Sequence, residues 1–268
     1  MKEQKLSSWE DFETEVASLF EKKKKIQAEK GMSVLGPFFR GHDAACLKLE
    51  TTLERYTTRQ YATREYYDVM RTASLAVESF TEKSWNLSGK HEIDETNPGP
   101  PLGYEFMIHL RHHGFPSPLL DWTHSPYIAA FFSFRSKAPS EDNDVAIYSY
   151  VVYSWPLIGT DVNKARIDLL GPSVTAHKRH YTQQSWYTIC RKPLDNEHVY
   201  CNHEEAINEE NYTGQGLLRK YIIPRSERSK VLEKLFLMNI NSYSLFGSEE
   251  SLMETLAYRE IEEKEKYL

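Results

Sequence analysis

Apolar residues recur at helical spacing near the start of the chain. They are Trp9, Phe12, Val16, Leu19 and Phe20. Residues three and four apart share one face of a helix, so this pattern predicts an amphipathic helix over residues 8–30. Ser8 followed by Asp11 resembles a capping box at its start. Gly31 is the predicted stop.

Similar patterns place the other elements. Strands are predicted over residues 34–40, 144–153, 184–189 and 217–223, with a short one starting at Leu119. Helices are predicted over residues 60–84 and 102–113, and after the caps Ser125, Ser226 and Ser248. The stripe predicted to pack in the core on the first of these helices is Ala62, Tyr66, Val69, Met70, Ala73, Val77 and Phe80. Gly41 directly follows a strand, where a glycine lets the backbone approach another group closely. The segment 87–101 is rich in glycine and proline and is predicted to be a loop.

Helices and strands mix in this chain without a regular β-α-β rhythm. That order predicts an α+β fold rather than a doubly wound parallel sheet. Neither G-x-G-x-x-G nor G-x-x-x-x-G-K-[ST] occurs, which disfavours Rossmann and P-loop nucleotide sites.

Composition indicates the class of protein. The chain has 268 residues, 40% hydrophobic and 27% charged, which suits one large globular domain. Its three scattered cysteines form no C-x-x-C pair, so neither a disulfide framework nor a zinc site is expected. No apolar stretch reaches the roughly 18 residues of a membrane span, and the N-terminus has no signal-peptide core. We therefore expect a cytoplasmic protein without membrane contact.

The net charge of −6 excludes a global basic field for nucleic acid. The run of lysines 22–25 is one local basic patch, and a solvated helix end is the other interpretation of it. The acidic stretch around Glu204 and Glu205 is most simply an exposed loop or helix. A metal site there lacks any recognised ligand spacing, and no metal is predicted.

Arg40 ends an apolar strand. A guanidinium in such a place is costly unless it pairs with an anion, and its planar fork suits phosphate or carboxylate. Two interpretations stay open. Arg40 binds a ligand, or it forms a buried salt bridge to Asp43, Glu50 or Asp121.

A second polar group follows the predicted helix 102–113. It consists of His112, His113, Asp121, Trp122 and Thr123. A cluster of this kind could orient a ligand or pass protons, or it could be a hydrogen-bonded scaffold around a turn. Trp122 could stack a nucleobase or nicotinamide ring, or it could be buried in the core. Gln183 and Gln184 precede an aromatic strand and could read polar groups, but an amide cannot act as a general base.

Several of these segments together resemble the FRG domain. They are Phe39-Arg40-Gly41, Leu110 to Pro116, Leu119 to Thr123, Ser125-Pro126, Ala129 to Phe132, Gln183 to Thr188, Tyr221 to Pro224 and Ser244 to Gly247. The resemblance covers roughly residues 33–260, preceded by an N-terminal helix in 1–32 and followed by a charged tail in 261–268. Ser117-Pro118 stands where the family usually has a threonine-arginine pair, so a positive charge is missing there.

The order of motifs also resembles the ADP-ribosyltransferase superfamily, in which an Arg-Gly or His-Gly strand contacts NAD. Arg40-Gly41 is similar to that strand, and the segment 121–132 is similar to the strand and helix that follow it. The pair Gln183-Gln184 lies where the family's glutamate would fall, and that glutamate is absent. This resemblance implies a central, mostly antiparallel split sheet flanked by helices, as in an ADP-ribosyltransferase.

The resemblance implies a function as well, namely NAD-dependent ADP-ribosyl transfer. The acceptor would be nucleic acid (RNA or DNA) or protein, in the setting of a toxin or antiviral-defence effector with a possible cognate inhibitor. Catalytic roles are implied for Arg40, Asp121, Gln183 and Gln184, with Asp121 stabilising positive charge at the transferred ribose. Implied NAD contacts are Phe39, Arg40, Gly41, His112, His113, Trp122, Thr123 and Ser125. The alternative is a non-catalytic nucleotide- or nucleic-acid-binding module.

Overall fold

The computed structural model describes residues 1–31, 33–87, 100–137, 144–154, 164–171, 178–195, 197–207 and 216–265. The strands of this part are β1 (Lys2–Lys5), β2 (Ser33–His42), β3 (Leu120–Thr123), β4 (Asp144–Ser154), β5 (Arg166–Leu170), β6 (Ser185–Leu194), β7 (Glu197–Tyr200) and β8 (Leu217–Pro224). The α-helices are α1 (Trp9–Lys30), α2 (Thr52–Tyr56), α3 (Thr63–Thr81), α4 (Tyr104–His112), α5 (Pro126–Phe134), α6 (Lys178–Thr182), α7 (His203–Ala206), α8 (Arg228–Leu237), α9 (Ser242–Phe246), α10 (Glu249–Ala257) and α11 (Glu263–Glu265), with a π-helical turn (Tyr258–Glu262) between the last two. None of these helices has both the length and the apolar character needed to cross a membrane.

The strands of the described residues form one open sheet of eight, in the order β1-β8-β4-β2-β3-β6-β5, with β7 paired to β6. Only β1 and β8 run parallel, so the predicted mixed architecture with a mostly antiparallel sheet is confirmed. The predicted split of the sheet is wrong in the strict sense, because hydrogen bonding is continuous along this order. Pairing between β2 and β3 is nevertheless sparse, because these strands share the single register pair Phe39 and Thr123.

Helices cover the sheet on the side that Phe39 faces. Trp9 of α1, Ile128 of α5 and Val231 of α8 belong to one buried cluster with Phe39 and Val145. Because side chains alternate along a strand, the neighbouring residues point to the other side. There Phe38, Leu120, Trp122, Ala146 and Tyr148 form a second cluster. A third joins α3 and α4 to β6 through Tyr66, Met107 and Tyr187.

Several predicted helix ends are confirmed in detail. Ser8 and Asp11 form the capping box of α1, and Gly31 ends it in the left-handed conformation. Ser125 accepts the Ile128 N–H at the start of α5, with Pro126 in its first turn. Ser248 caps α10.

Two predicted details are wrong. Ser226 is no helix cap, because residues 225–227 form a 3-10 turn and α8 begins at Arg228. Phe80 is 89% exposed. The buried residues of α3 are Thr63, Tyr66, Tyr67, Met70 and Ser74, which places Phe80 away from the packed face. Most of the predicted loop 87–101 lies outside the described residues.

Gly41 confirms the expected close approach. A Cβ atom added there would lie 2.0 Å from the Ala129 carbonyl oxygen and 2.5 Å from Ser133 Oγ. The absence of a side chain therefore lets β2 pack directly on the backbone of α5. That contact fixes the residues around Gly41 against the middle and the last turn of α5.

We expect Gly41→Ala to lower the free energy of unfolding by about 3 kcal/mol, because the added methyl group collides with a backbone carbonyl that cannot rotate away. The matched control is Gly31→Ala, at φ 60° with no atom within 4 Å of the added Cβ. This control should lower the free energy of unfolding by only about 1–2 kcal/mol, which is the cost of placing an alanine in the left-handed conformation. Urea denaturation of both variants measures the difference. An equal or smaller loss for Gly41→Ala would contradict the packing argument.

Candidate functional site

A cavity of about 390 Å³ opens where β2 and β3 barely pair. Its volume lies near the lower end of the roughly 300–1,000 Å³ range of small-molecule sites. The residues that line it come from strands β2, β3 and β6, from helices α2, α4, α5, α6 and α9, and from the segment after β2. They are Phe39, Arg40, Gly41, His42, Asp43, Leu47, Arg55, Arg111, His112, Asp121, Trp122, Thr123, Ala129, Phe132, Arg179, Gln183, Ser185 and Phe246.

Arg40 spans the gap between β2 and β3. Its Nη1 donates to the Asp121 carbonyl oxygen at 2.9 Å and lies 3.6 Å from the Asp121 carboxylate. Its side chain is only 12% exposed. Burial is the main reason that the pKa of Arg40 falls to about 10, and the nearby Arg111 and Arg55 add to that effect while Asp121 opposes it. The salt-bridge interpretation of Arg40 is therefore confirmed, with Asp121 as the partner. Arg40 also lines the cavity, and ligand binding by it stays a prediction.

Asp121 lies between two guanidinium groups. Its Oδ2 accepts a hydrogen bond of 2.5 Å from Arg111 Nη2, besides the ion pair with Arg40. Burial on its own would raise the pKa of this carboxyl, but Arg111 and Arg40 hold the pKa below its ordinary value. Asp121 is therefore ionised near neutral pH. Its carboxylate pairs with the guanidinium groups of Arg40 and Arg111 and holds both in position.

His42 supports Arg40 from the other side. Its Nε2 accepts a hydrogen bond of 3.1 Å from Arg40 Nε. Burial, together with the charge of Arg40, lowers the pKa of His42 to about 3. The imidazole is thus neutral at neutral pH, which is the form that can accept this bond.

The two histidines of the predicted polar group behave differently. His112 lines the cavity, and its Nε2 lies 2.9 Å from the buried Tyr187 hydroxyl. His113 is exposed at the end of α4, and its ring packs on His109. Of the two, only His112 lines the cavity, so His113 is removed from the predicted site and ligand contact by His112 stays a prediction. The reason is that consecutive helical residues point in different directions.

Trp122 is buried, at 3% exposure. Its indole Nε1 donates to Thr188 Oγ1 at 2.7 Å, and its ring packs against Tyr150. The core interpretation is therefore the correct one, and Trp122 offers no free face for stacking. The alternation along β3 explains this, because Asp121 and Trp122 point to opposite sides of the sheet. Trp122 borders the cavity, but its ring packs in the buried cluster with Phe38 and Tyr150.

Among the other predicted site residues, Phe39, Gly41, Thr123 and Gln183 line the cavity. Gln184 and Ser125 do not. Gln184 is exposed in a turn at φ 49°, where its carbonyl oxygen accepts the His124 N–H. Ser125 is occupied as the cap of α5. Both are corrected to local structural roles.

Ten lining residues were not predicted as site residues, and the charged or aromatic ones that come from helices are Arg55, Arg111, Phe132, Arg179 and Phe246. Arg111, Phe132 and Phe246 fall inside the segments that resemble the FRG domain, which was a usable signal. Arg55 and Arg179 lie outside those segments, so the sequence held no signal for them. The positive charge expected to be missing at Ser117-Pro118 is thus supplied from elsewhere. Ser117 is fully buried and hydrogen-bonds to Thr52.

The lining contains four arginines and two carboxylates, Asp43 and Asp121. Arg55 is exposed at the rim and has no ion pair or side-chain hydrogen bond with any residue that the structure describes. Guanidinium groups bind phosphates and carboxylates through paired hydrogen bonds. Across the described ranges, no group of three or more potential metal ligands comes together. The arrangement is therefore suited chemically to an anionic ligand.

Residues 37–142 match the family model of the FRG domain. The resemblance is confirmed over this range, which contains Arg40, Arg55, Arg111, Asp121 and Phe132. The α6 and α9 residues of the cavity lie beyond it. No curated protein and no solved structure matches the chain.

Two buried histidines should make the protein less stable as the pH falls. Burial, reinforced by Arg40, lowers the pKa of His42 and of His203 from 6.5 to about 3. Between these values the unfolded chain binds protons that the folded chain does not. The free energy of unfolding should therefore be largest above pH 6.5 and should fall, as the pH drops towards 3, by about 1.4 kcal/mol per pH unit for each histidine.

Replacing one histidine should flatten this dependence. His203→Gln keeps a polar group near Thr188, the partner of His203 at 2.8 Å, and removes one titrating group. Urea denaturation between about pH 7 and pH 5 measures the slope. His113→Gln, at an exposed position, is the control and should leave the slope unchanged. A slope of His203→Gln as steep as that of the wild type would contradict the assignment.

Proposed function

We propose that this chain binds a nucleotide through its pyrophosphate at the arginine-lined cavity, and that NAD is the ligand. The observation that carries the proposal is the excess of guanidinium groups over carboxylates around one cavity, with Arg55 unpaired among the described residues. The FRG match supports the proposed location, since Arg40 and Asp121 both lie in the matched range. The positive charge of the lining supports an anionic ligand.

The arginines are held in position before any ligand arrives. Asp121 binds Arg40 and Arg111 together, and His42 holds the Nε of Arg40. Ordering a long side chain costs conformational entropy, and here that cost is already met within the folded chain. A pyrophosphate would therefore meet two guanidinium groups whose positions are fixed.

Repulsion among the arginines favours an anion further. After burial, the positive charges of Arg111 and Arg55 are the effects that lower the pKa of Arg40. These cations are thus close enough to interact, and Asp121 neutralises only part of their charge. A pyrophosphate between them would replace repulsion by charge-assisted hydrogen bonds.

ADP-ribosyl transfer is the second candidate function, and the ionised state of Asp121 favours it. In this reaction the bond from ribose C1′ to nicotinamide breaks and nicotinamide leaves with the electron pair. An acceptor nucleophile then bonds to C1′ and gives up its proton. A carboxylate can stabilise the positive charge that develops at C1′. The two arginines on Asp121 weaken this effect, so binding is the better supported of the two functions.

The acceptor would be nucleic acid or protein, as the superfamily resemblance implies. A role as a toxin or defence effector, with an inhibitor as partner, requires that the chain catalyses ADP-ribosyl transfer. An ADP-ribosyltransferase-like arrangement of the sheet belongs to the same proposal. The junction of β2 and β3, at which Arg40 meets the Asp121 strand, is the feature that supports it.

We expect Arg55→Met to weaken the binding of NAD by roughly tenfold, because a charge-assisted hydrogen bond contributes about 1.5–3 kcal/mol and this one is exposed. Isothermal titration calorimetry measures the dissociation constant. Arg64→Met is the matched control, because Arg64 is exposed on α3 outside the cavity. Equal affinity of the two variants, or no binding of NAD to the wild type, would contradict the proposal.

Turnover is tested separately by measuring free nicotinamide after incubation with NAD and a cell extract. If Asp121 stabilises the transferred ribose, Asp121→Asn should lower nicotinamide release by about 100-fold. Calorimetry should show that this variant still binds NAD, but more weakly than the wild type, because all four arginines remain while the ion pairs that hold Arg40 and Arg111 together are lost. Nicotinamide release is therefore compared at saturating NAD. NAD that binds to the wild type and is never consumed would reject the transferase and leave the binding module.

A further inference from the structure

Helices α6 and α9 form one wall of the cavity, which we call the α6–α9 wall. It consists of Arg179, Gln183 and Phe246, with Phe132 of α5 beside it. Two side chains of α6, and that of Gln183 directly after it, donate to the last carbonyl groups of α9. Thr182 Oγ1 and Gln183 Nε2 lie 3.0 and 3.2 Å from the Leu245 oxygen, and Arg179 Nε lies 3.4 Å from the Phe246 oxygen. The last carbonyls of a helix have no partner within it, so these bonds fix the wall.

The bond from Gln183 also fixes the orientation of its amide. A carbonyl oxygen can only accept a hydrogen bond, so the NH₂ group of Gln183 must face Leu245. The amide oxygen Oε1 is then left as an acceptor, and no described residue donates to it. Gln183 thus adds an acceptor without a partner among the described residues to a lining that also holds four guanidinium donors and the carboxylates of Asp43 and Asp121. A ligand that pairs with it must carry a hydrogen-bond donor.

The rest of the wall is apolar and aromatic. Phe132 and Phe246 are partly buried and meet edge to face, with ring centroids 5.9 Å apart. The guanidinium carbon of Arg179 lies 5.4 Å from the Phe246 ring centroid, and that of Arg135 lies 4.7 Å from it. A planar group can pack against such a set of aromatic and guanidinium groups. An acceptor beside a flat apolar surface is suited to a heterocycle with an amino group.

Charge decides between the two rings of NAD. Both adenine and the nicotinamide carboxamide carry an NH₂ group. The oxidised nicotinamide ring is positively charged, however, and the wall already holds the cation of Arg179. Arg135, on the same Phe246 ring, is paired with Glu254 and does not line the cavity. Adenine is neutral at neutral pH and meets no such repulsion.

We propose that the α6–α9 wall recognises the adenine ring of the ligand, with Gln183 Oε1 accepting a hydrogen bond from the exocyclic amino group. The inference rests on the proposed pyrophosphate site and extends it, because it assigns the substrate class as an adenine nucleotide. It also gives residues beyond the FRG match a function in ligand selection.

The test compares three probes on the full chain by calorimetry. They are ADP, purine riboside 5′-diphosphate, which has hydrogen in place of the amino group, and inorganic pyrophosphate. We expect the wild type to bind ADP roughly tenfold more tightly than the purine analogue, as for one hydrogen bond. In Gln183→Met this preference should disappear while the affinity for pyrophosphate stays unchanged. Gln184→Met, at the exposed neighbouring position, is the control and should keep the preference.

The outcomes separate the two proposals. If the wild type binds ADP and the purine analogue equally while pyrophosphate binding still depends on Arg55, the adenine assignment is wrong and the anion site stands. If pyrophosphate and ADP both fail to bind, the anion site is wrong and the adenine assignment falls with it. The two nucleotides are compared on the wild type, so this test does not depend on whether Gln183→Met folds.

Discussion

The hydrogen bond from Arg40 to the Asp121 carbonyl joins two strands that otherwise share one register pair. Regular pairing at this junction would have filled the space with backbone hydrogen bonds and left no room for a ligand. Sparse pairing leaves a gap, and the guanidinium spans it. Since Arg40 is nearly buried, Asp121 and His42 must satisfy its charge and its donors. The position of the cavity and the state of its charged groups therefore follow from this one junction.

Local signals explain why some elements could be predicted from sequence and others could not. The limits of α1, α5 and α10 are set by capping side chains within a few residues of each helix end, so the sequence contains them. Strands β1, β5 and β7 have only four or five residues, and β1 (KEQK) has no apolar residue. Such segments become strands because a neighbouring strand offers free hydrogen-bonding groups. That information lies in the tertiary structure. The continuity of the sheet across β2 and β3 likewise depends on tertiary structure and could not be predicted from the sequence.

The site could be predicted only in part for a related reason. Arg40 and Asp121 lie in short apolar strands, directly before a glycine and an aromatic residue, which is a visible pattern. The burial of the Trp122 ring could also have been predicted, because consecutive side chains of a strand point to opposite sides of the sheet. Arg55 and Arg179 lie on short helices far apart in sequence, and only the fold brings them to one cavity. Of the pair Gln183-Gln184, only Gln183 lines the cavity, because Gln184 is exposed in a turn.

The overall charge of −6 does not weaken the case for an anionic ligand. At physiological ionic strength the screening length is about 8 Å, so an exposed acidic residue on a distant surface has little effect inside the cavity. The guanidinium groups that line the cavity act over a few ångströms, and Arg40 and Arg111 do so from a largely buried position where screening is weak. Asp121 does not cancel them, since one carboxylate is shared by two arginines and Arg55 and Arg179 also line the cavity. Asp121 instead fixes the positions of Arg40 and Arg111, because it holds side by side two positive charges that would otherwise repel each other. A site built in this way is able to select a ligand with two neighbouring negative groups, as in a pyrophosphate, over one with a single charge.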